Sequence, residues 1–341
     1  MKKLGDICDI KMGQSPSSNS YNAEKIGLPF FQGNADFGSK YPCVRLYCSA
    51  PIKVANKGDV LFSVRAPIGA INIAEQLCCI GRGLAALTPK NSTLEYLYFL
   101  LKAKSQILQS IGTGSTFKAI TKISLFSLPI PDHSVLIQNQ ITQKLSLLEK
   151  LINEREEQVK SFDMLAKSRF IEMFGDPITN PMGWETETLA KVAPVVGYTG
   201  KMDNKVWLLN LDMVESQTGE IIDYLIVDKS TIGASTCSFN EENILYSKLR
   251  PYLNKVVVPN QKGFATSEML PLKPKKHLNR IFLTYLLRSE SFVSFISQKV
   301  TGAKMPRVSM NDFKNFKCIL PPIILQTQFS VFAQQLDKSK F

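Results

Sequence analysis

The chain has 341 residues, 44 % hydrophobic and 21 % charged, with a net charge of +12. Two ordinary domains fit that length, and the composition excludes wholesale disorder. No apolar run approaches the roughly 18 residues of a bilayer span. Lys2 and Lys3 have no apolar stretch behind them, so a signal peptide is not expected and the chain reads as cytoplasmic.

In chain order, the first third alternates short apolar runs with turn residues. Gly58-Asp59-Val60-Leu61-Phe62-Ser63-Val64 reads as a strand. A short helix is expected over Leu94–Lys102, then a glycine-containing loop at Gly112–Lys118, then a proline-bounded exit strand at Phe126–Pro131. Ser134–Phe174 holds neither proline nor glycine, and Gly175-Asp176-Pro177 closes it, which marks one long helix. Its positions 141, 145, 148, 152, 155, 159, 162 and 166 hold Ile, Leu, Leu, Ile, Arg, Val, Phe and Ala. That is a heptad seam with Arg155 as the exception, on a helix of roughly 60 Å. Beyond it come a strand around Leu253–Asn260, a helix over Arg280–Arg288, a second glycine loop and an exit strand at Phe316–Pro322.

The second series repeats the first. Asp59-Val60-Leu61-Phe62-Ser63 returns as Asn243-Ile244-Leu245-Tyr246-Ser247, and Pro67 returns as Pro251. Leu4 matches Leu189, Asn34-Ala35-Asp36 matches Asn210-Leu211-Asp212, and Ile137-Gln138-Asn139-Gln140-Ile141 matches Leu325-Gln326-Thr327-Gln328-Phe329. The matches keep their order at a period of about 185 residues, which means duplicated domains, since solenoid repeats run about 20–50 residues. A second copy of the long helix therefore begins after Pro322. Leu325, Phe329, Ala333 and Leu336 take the seam positions of Ile137, Ile141, Leu145 and Leu148. It ends at Phe341, so this copy is expected to be short, naturally or by truncation. An antiparallel pair would then cover half of the first helix, and the rest of the stripe, taken as Ile152–Phe174, would need another partner.

Charge follows the repeat. Residues 1–130 carry 15 basic and 7 acidic residues, and 177–320 carry 18 and 13, whereas 131–176 carry 6 and 8. Basic modules joined by a slightly acidic helix suit a regularly charged polymer such as nucleic acid; solubility alone would also tolerate the charge. Catalytic and metal motifs are missing. There is no phosphate-cradling G-x-x-x-x-G-K-[ST] and no G-x-G-x-x-G opening a helix. The seven cysteines form no C-x-x-C pair and read as buried small hydrophobes. The only histidines are His133 and His277, so neither a zinc site nor histidine catalysis is expected.

Two strand-rich modules, each followed by a similar helix, resemble the specificity subunit of type I restriction-modification systems. The resemblance rests on Leu61-Phe62-Ser63 and Leu245-Tyr246-Ser247 with Arg65 and Arg250 behind them, on the Thr-Gly loops at 113–114 and 301–302, and on the Phe174-Gly175-Asp176-Pro177 helix exit. It implies an α+β chain in four parts. These are a target-recognition domain at 1–130, a coiled-coil helix at 131–176, a second target-recognition domain at 177–320 and a short coiled-coil helix at 321–341. It also implies a non-catalytic chain that binds a bipartite site in double-stranded DNA. Two modification subunits would use S-adenosylmethionine to methylate adenine, restriction subunits would use ATP and magnesium, and this chain would hold no cofactor or metal itself.

The DNA-binding candidates are Arg65, Gly114, Ser115, Thr116, Lys118, Lys122, Lys248, Arg250, Gly302, Lys304 and Arg307. Arginine grips a guanine edge or a phosphate through two hydrogen bonds, and glycine lets backbone approach a phosphate. Arg65 and Arg250 are placed as equivalents, each following a strand. The frame candidates are Ile141, Leu145, Leu148, Ile152, Val159, Phe162, Leu325, Phe329 and Leu336. Self-association through the unpaired part of the central helix is a further expectation. The alternative is a coiled-coil scaffold whose basic modules bind acidic proteins.

Overall fold

The computed structural model describes residues 1–111, 119–302 and 304–340. The chain divides into two units, Met1–Glu154 and Arg155–Phe341.

In the first unit, Lys2–Lys3 pairs antiparallel with Pro129–Ile130, so the start and end of the strand-rich part are tied together. A four-stranded sheet runs Cys8–Met12, Leu84–Pro89, Val60–Ser63, Ile71–Ile73. A five-stranded sheet holds Leu28–Phe31 parallel to Cys78–Ile80. The unbroken apolar run at Val60 has a physical reason. Alternate residues of a strand face opposite sides. Val60, Phe62 and Val64 enter one core with Ala85 and Leu87, while Leu61 enters a second with Leu84 and Ala86. Both faces are covered, so no polar alternation appears.

Helix α1, Leu94–Ile111, lays Leu97, Leu101 and Leu108 on the first of these cores. It outruns the expected end at Lys102 because no glycine or proline interrupts it before Gly112. The expected exit strand is shorter than Phe126–Pro131. Residues Lys122–Phe126 form helix α2, capped by Thr121 Oγ1, which accepts from Ser124 N, and only Pro129–Ile130 is extended. Helix α3 spans Val135–Phe174, within a residue of the expected bounds. Its first half packs on this unit. Gln138 and Thr142 are buried, and Ile141 lies against the core. Glu149 accepts from Lys102 Nζ at 2.9 Å and from Lys40 Nζ at 3.2 Å.

The second unit repeats the plan. Thr186–Thr188 pairs antiparallel with Lys317–Ile319, as the end strands of the first unit do. Ile244–Ser247 lies between Val256–Val257 and Met269–Leu272. Lys205–Leu209 runs parallel to Gly263–Thr266, the counterpart of the earlier parallel pair. Ile244 and Tyr246 face one core and Leu245 the other, the same alternation as Val60, Phe62 and Leu61. Its helices are α4, Leu189–Val192; α5, Arg280–Arg288; α6, Glu290–Ser297; α7, Met310–Asn315; and α8, Ile323–Ser339. The expected strand over Leu253–Asn260 contracts to Val256–Val257, because Pro251–Leu253 is a tight single turn. The exit strand contracts from Phe316–Pro322 to Lys317–Ile319.

The second half of α3 belongs to this unit's core. Phe170 and Phe174 meet Phe329 of α8, with ring centroids 5.4 and 5.7 Å away, and Phe329 lies 4.9 Å from Tyr285 of α5. At the far end, Arg155 Nη2 donates to Ser339 O at 2.9 Å, and Lys340 Nζ reaches Asp163 Oδ1 at 2.6 Å. Helix α8 thus runs antiparallel to α3. Val159, Phe162, Leu325 and Leu336 are half-buried, and Phe329 and Ala333 are fully buried. Arg155, the exception in the heptad pattern, serves the pairing: its guanidinium takes an end carbonyl that α8 has no internal donor for. Gly175, at φ +75, closes α3 by donating its N–H to Ile171 O.

The stripe left open is not Ile152–Phe174. Helix α8 starts beside Phe174, so residues 155–174 are the part it covers. In the first unit Leu145, Leu148 and Ile152 remain 36, 54 and 58 % exposed.

Candidate nucleic-acid interface

The repeated Leu-Phe/Tyr-Ser strand ends in the same turn in both units. Ser63 Oγ donates to Arg65 O at 3.0 Å, and Ser247 Oγ donates to Leu249 O at 3.0 Å. A serine hydroxyl bonding two residues ahead folds the chain out of the sheet. The segment leaving the strand is then held between the approach to the neighbouring strand and the chain that follows the glycine loop. In the first unit Val64 N donates to Gly83 O and Ile120 N to Val64 O. In the second, Lys248 N donates to Glu268 O and Val308 N to Lys248 O. These bonds place Val64 with Lys248, and so Arg65 with Leu249 and Ala66 with Arg250.

Arg65 and Arg250 are therefore not equivalent, contrary to the expectation. They are one residue out of register, and one residue turns a side chain to the opposite side of extended backbone. Arg250 also sits in the left-handed region at φ 49, held there by its N–H bond to Pro306 O.

In the second unit the Thr-Gly loop is a small hairpin. Val300 pairs with Val308 and Thr301 with Arg307, and Gly302 turns at φ +90. That conformation favours glycine. Lys304 stands exposed in this loop, and Arg250 is exposed beside it. Arg307 is engaged. Its Nε and Nη2 donate to Glu268 Oε1 at 3.0 and 2.7 Å, and Nε lies 3.1 Å from Oε2. The Arg307 guanidinium holds the Glu268 carboxyl below the usual carboxylate range. Lys248 is half-buried beside them. Arg307 thus fixes the hairpin, while Arg250 and Lys304 have no ion pair among the described residues.

In the first unit Gly114, Ser115, Thr116 and Lys118 lie outside the described residues. Arg65, bridged through its backbone to Ala119, is exposed, as is Lys122 at the start of α2. Lys122 joins Lys11 and Lys53 around a depression of about 620 Å³. Lys11 and Lys53 lay outside every matched loop, so only the fold brings them there.

Nucleophilic chemistry finds little support. Burial pushes the thiols of Cys8, Cys78, Cys79 and Cys318 up to about 12. Cys43 is exposed and Cys237 half-buried, so not all seven are core residues. His133 is half-buried, with Nδ1 2.9 Å from Tyr96 Oη. Among the described residues no group of three His, Cys, Asp or Glu could hold a metal ion. Among them, too, no helix is long and apolar enough to cross a membrane.

Residues 1–161 and 181–341 each match the type I restriction modification DNA specificity domain. The chain belongs to this family. Its two matched spans are the two copies of the repeat, and the α+β architecture of paired strand-rich modules and long helices is the family's. The scaffold alternative is not favoured, because both basic modules match a DNA specificity domain. The chain is 39 % identical over 160 residues to the type I restriction enzyme MjaX specificity subunit of Methanocaldococcus jannaschii, covering 46 % of this chain and 38 % of that protein. It is 24 % identical to the MjaIX specificity subunit of the same organism, over 98 % of this chain and 86 % of that one. The solved specificity subunit of a type I system from M. genitalium shares 15 % identity and a TM-score of 0.58, covering 99 % of this chain and 89 % of that one. This last likeness is one of fold.

Proposed function

We propose that this chain is the DNA-specificity subunit of a type I restriction-modification complex. Each unit reads one half of a split site in double-stranded DNA, and the chain catalyses nothing. The observation that carries this reading is the duplicated specificity domain, whose copies share the same strand exit, bound in each by the chain that follows the glycine loop. Arg250 and Lys304 in one unit, and Arg65 and Lys122 in the other, are the side chains free to contact phosphate or a base edge; Arg307 positions the hairpin. Two modification subunits using S-adenosylmethionine, and restriction subunits using ATP and magnesium, complete the assembly in the cytoplasm. This chain binds none of these cofactors. The open seam at Leu145–Ile152 is covered there by a helix of a modification subunit or of a second copy.

Co-expression with a type I modification subunit, followed by sequencing that detects methylated adenine, tests the reading. Methylation at two short half-sites with a fixed gap is the expected result. An intact, DNA-bound complex that methylates nothing, or methylates without sequence preference, refutes it.

A further inference from the structure

The second unit contains a cleft of about 1540 Å³ that none of the DNA candidates line. Its apolar wall includes Phe170, Ile221, Tyr224 and Ile281. On α5 it also holds Tyr285 and, one turn later, Arg288. Arg288 is the unusual group. One of its nitrogens, Nη2, donates to Val256 O, but Nε is sealed from solvent with no acceptor. No carboxylate pairs with it among the described residues. Of the nearby carboxylates, Asp163 and Asp337 are held by Lys340 Nζ at 2.6 and 2.9 Å, and Glu220, whose charge also acts on Arg288, makes no ion pair with it. The chain keeps Arg288 enclosed by close packing. Gly219, at φ +67, lies so near that a Cβ there would collide with both Val256 O and the guanidinium. The Tyr285 hydroxyl also has no hydrogen-bond partner among the described residues. Tyr285 and Arg288 both line this cleft, and a half-buried guanidinium without an ionic partner is costly to retain unless something pairs with it.

We infer that this cleft docks a polypeptide segment that inserts one carboxylate side chain, Asp or Glu, against Arg288 and the Tyr285 hydroxyl. A planar guanidinium and a carboxylate make paired, charge-assisted bonds. A phosphate or a nucleic-acid backbone fits poorly, because the carboxylates lining the cleft (Glu172, Asp176, Glu220 and Glu290, with Asp163 and Asp337) outnumber Lys167, Arg288, Lys338 and Lys340 and would repel a polyanion. The volume exceeds the roughly 300–1,000 Å³ of small-molecule pockets, which favours an extended chain whose apolar residues lie on Phe170 and Tyr224. The acidic residues of the lining would meet basic residues flanking the inserted carboxylate.

The probe is an oriented library of acetylated nonapeptide amides with degenerate flanks and a central Glu, Gln, Lys or phosphoserine. It is applied to the immobilised full chain. Central Glu is expected to be enriched at least tenfold over Gln and over phosphoserine. That preference should disappear in Arg288→Met and fall severalfold in Tyr285→Phe, which removes only the hydroxyl and keeps the ring. Tyr285→Phe carries the test if Arg288→Met does not fold. No enrichment, equal retention of Gln, a preference for phosphoserine, or displacement of the peptides by a 20-base-pair duplex would each overturn the inference. So would a Glu preference that survives both substitutions. The inference does not rest on the DNA reading: Arg288→Met is expected to leave duplex binding unchanged, so the two can fail separately.

Discussion

Replacing Phe329 by alanine tests whether α8 is docked on α3 as described. Phe329 is fully buried and its ring touches Phe170, Phe174 and Tyr285 at centroid distances of 5.4, 5.7 and 4.9 Å. Emptying such a site costs about 3–5 kcal/mol, and the loss of three aromatic pairs places this position at about 4–5. That is a large share of an ordinary domain's stability of about 5–15 kcal/mol. Both tryptophans, Trp184 and Trp207, lie in the second unit, so tryptophan fluorescence follows this unit alone. Trp184 Nε1 donates to Phe174 O at 2.9 Å and so reports on the perturbed cluster itself. With a urea slope of about 2 kcal/mol/M, the midpoint should fall by about 2 M. Leu148→Ala, at an exposed position of the same heptad pattern, should change stability by about 0.5 kcal/mol at most. A Phe329→Ala midpoint within about 0.5 M of the parent would refute the docking of α8 and the seam correction built on it.

Arg250→Ala and Arg65→Ala should each weaken duplex binding. If the arginine grips a phosphate, its removal lowers the slope of log affinity against log salt by about 0.9; if it reads a guanine, removal costs about 1–3 kcal/mol at one base pair. Competition binding across salt concentrations separates the two. Glu268→Gln should loosen the pairing of Val300–Thr301 with Arg307–Val308 and weaken DNA binding at unchanged overall fold, read by the same assay alongside circular dichroism. Burial pushes the Glu149 carboxyl up, but hydrogen bonds from Lys102 and Lys40 outweigh it and hold the group below its ordinary 4.5. Its contribution to stability is thus present at neutral pH and lost as pH falls through the depressed value. Acid titration of unfolding should be shallower in Glu149→Gln; an identical profile would sink this account. Leu148→Ser should leave the isolated chain folded but weaken assembly with a modification subunit in co-purification.

The duplication was legible because its carriers are physically constrained. Strands buried on both faces must stay apolar, and the serine that folds the chain out of the sheet must sit at their end. The long helix was legible because nothing between Ser134 and Phe174 breaks it. What failed was pairing. A heptad pattern shows that a stripe needs cover but not which half receives it, so Leu145–Ile152 emerges as the open part only once α8 is seen to start beside Phe174. The offset between Arg65 and Arg250 already follows from the ungapped match of Asp59–Pro67 with Asn243–Pro251, which sets Arg65 opposite Leu249; the hydrogen bonds of Val64 and Lys248 give that register its physical form. Lys11 and Lys53 belong to no repeated motif, and Glu268, which engages Arg307, is 39 residues from it in sequence.

The unit boundary between Glu154 and Arg155 falls inside α3, where Leu151 and Ile152 are exposed. A fragment cut at the loop after the helix would begin at Pro177 and lack Phe170 and Phe174, leaving Phe282, Tyr285 and Phe329 around a hole. One beginning at Arg155 keeps every aromatic ring of that cluster. The natural exchange point for building hybrid chains is thus the middle of a helix. Two parents joined there in helical phase would each contribute an intact core, and new combinations of half-site readers could be made without repacking either one.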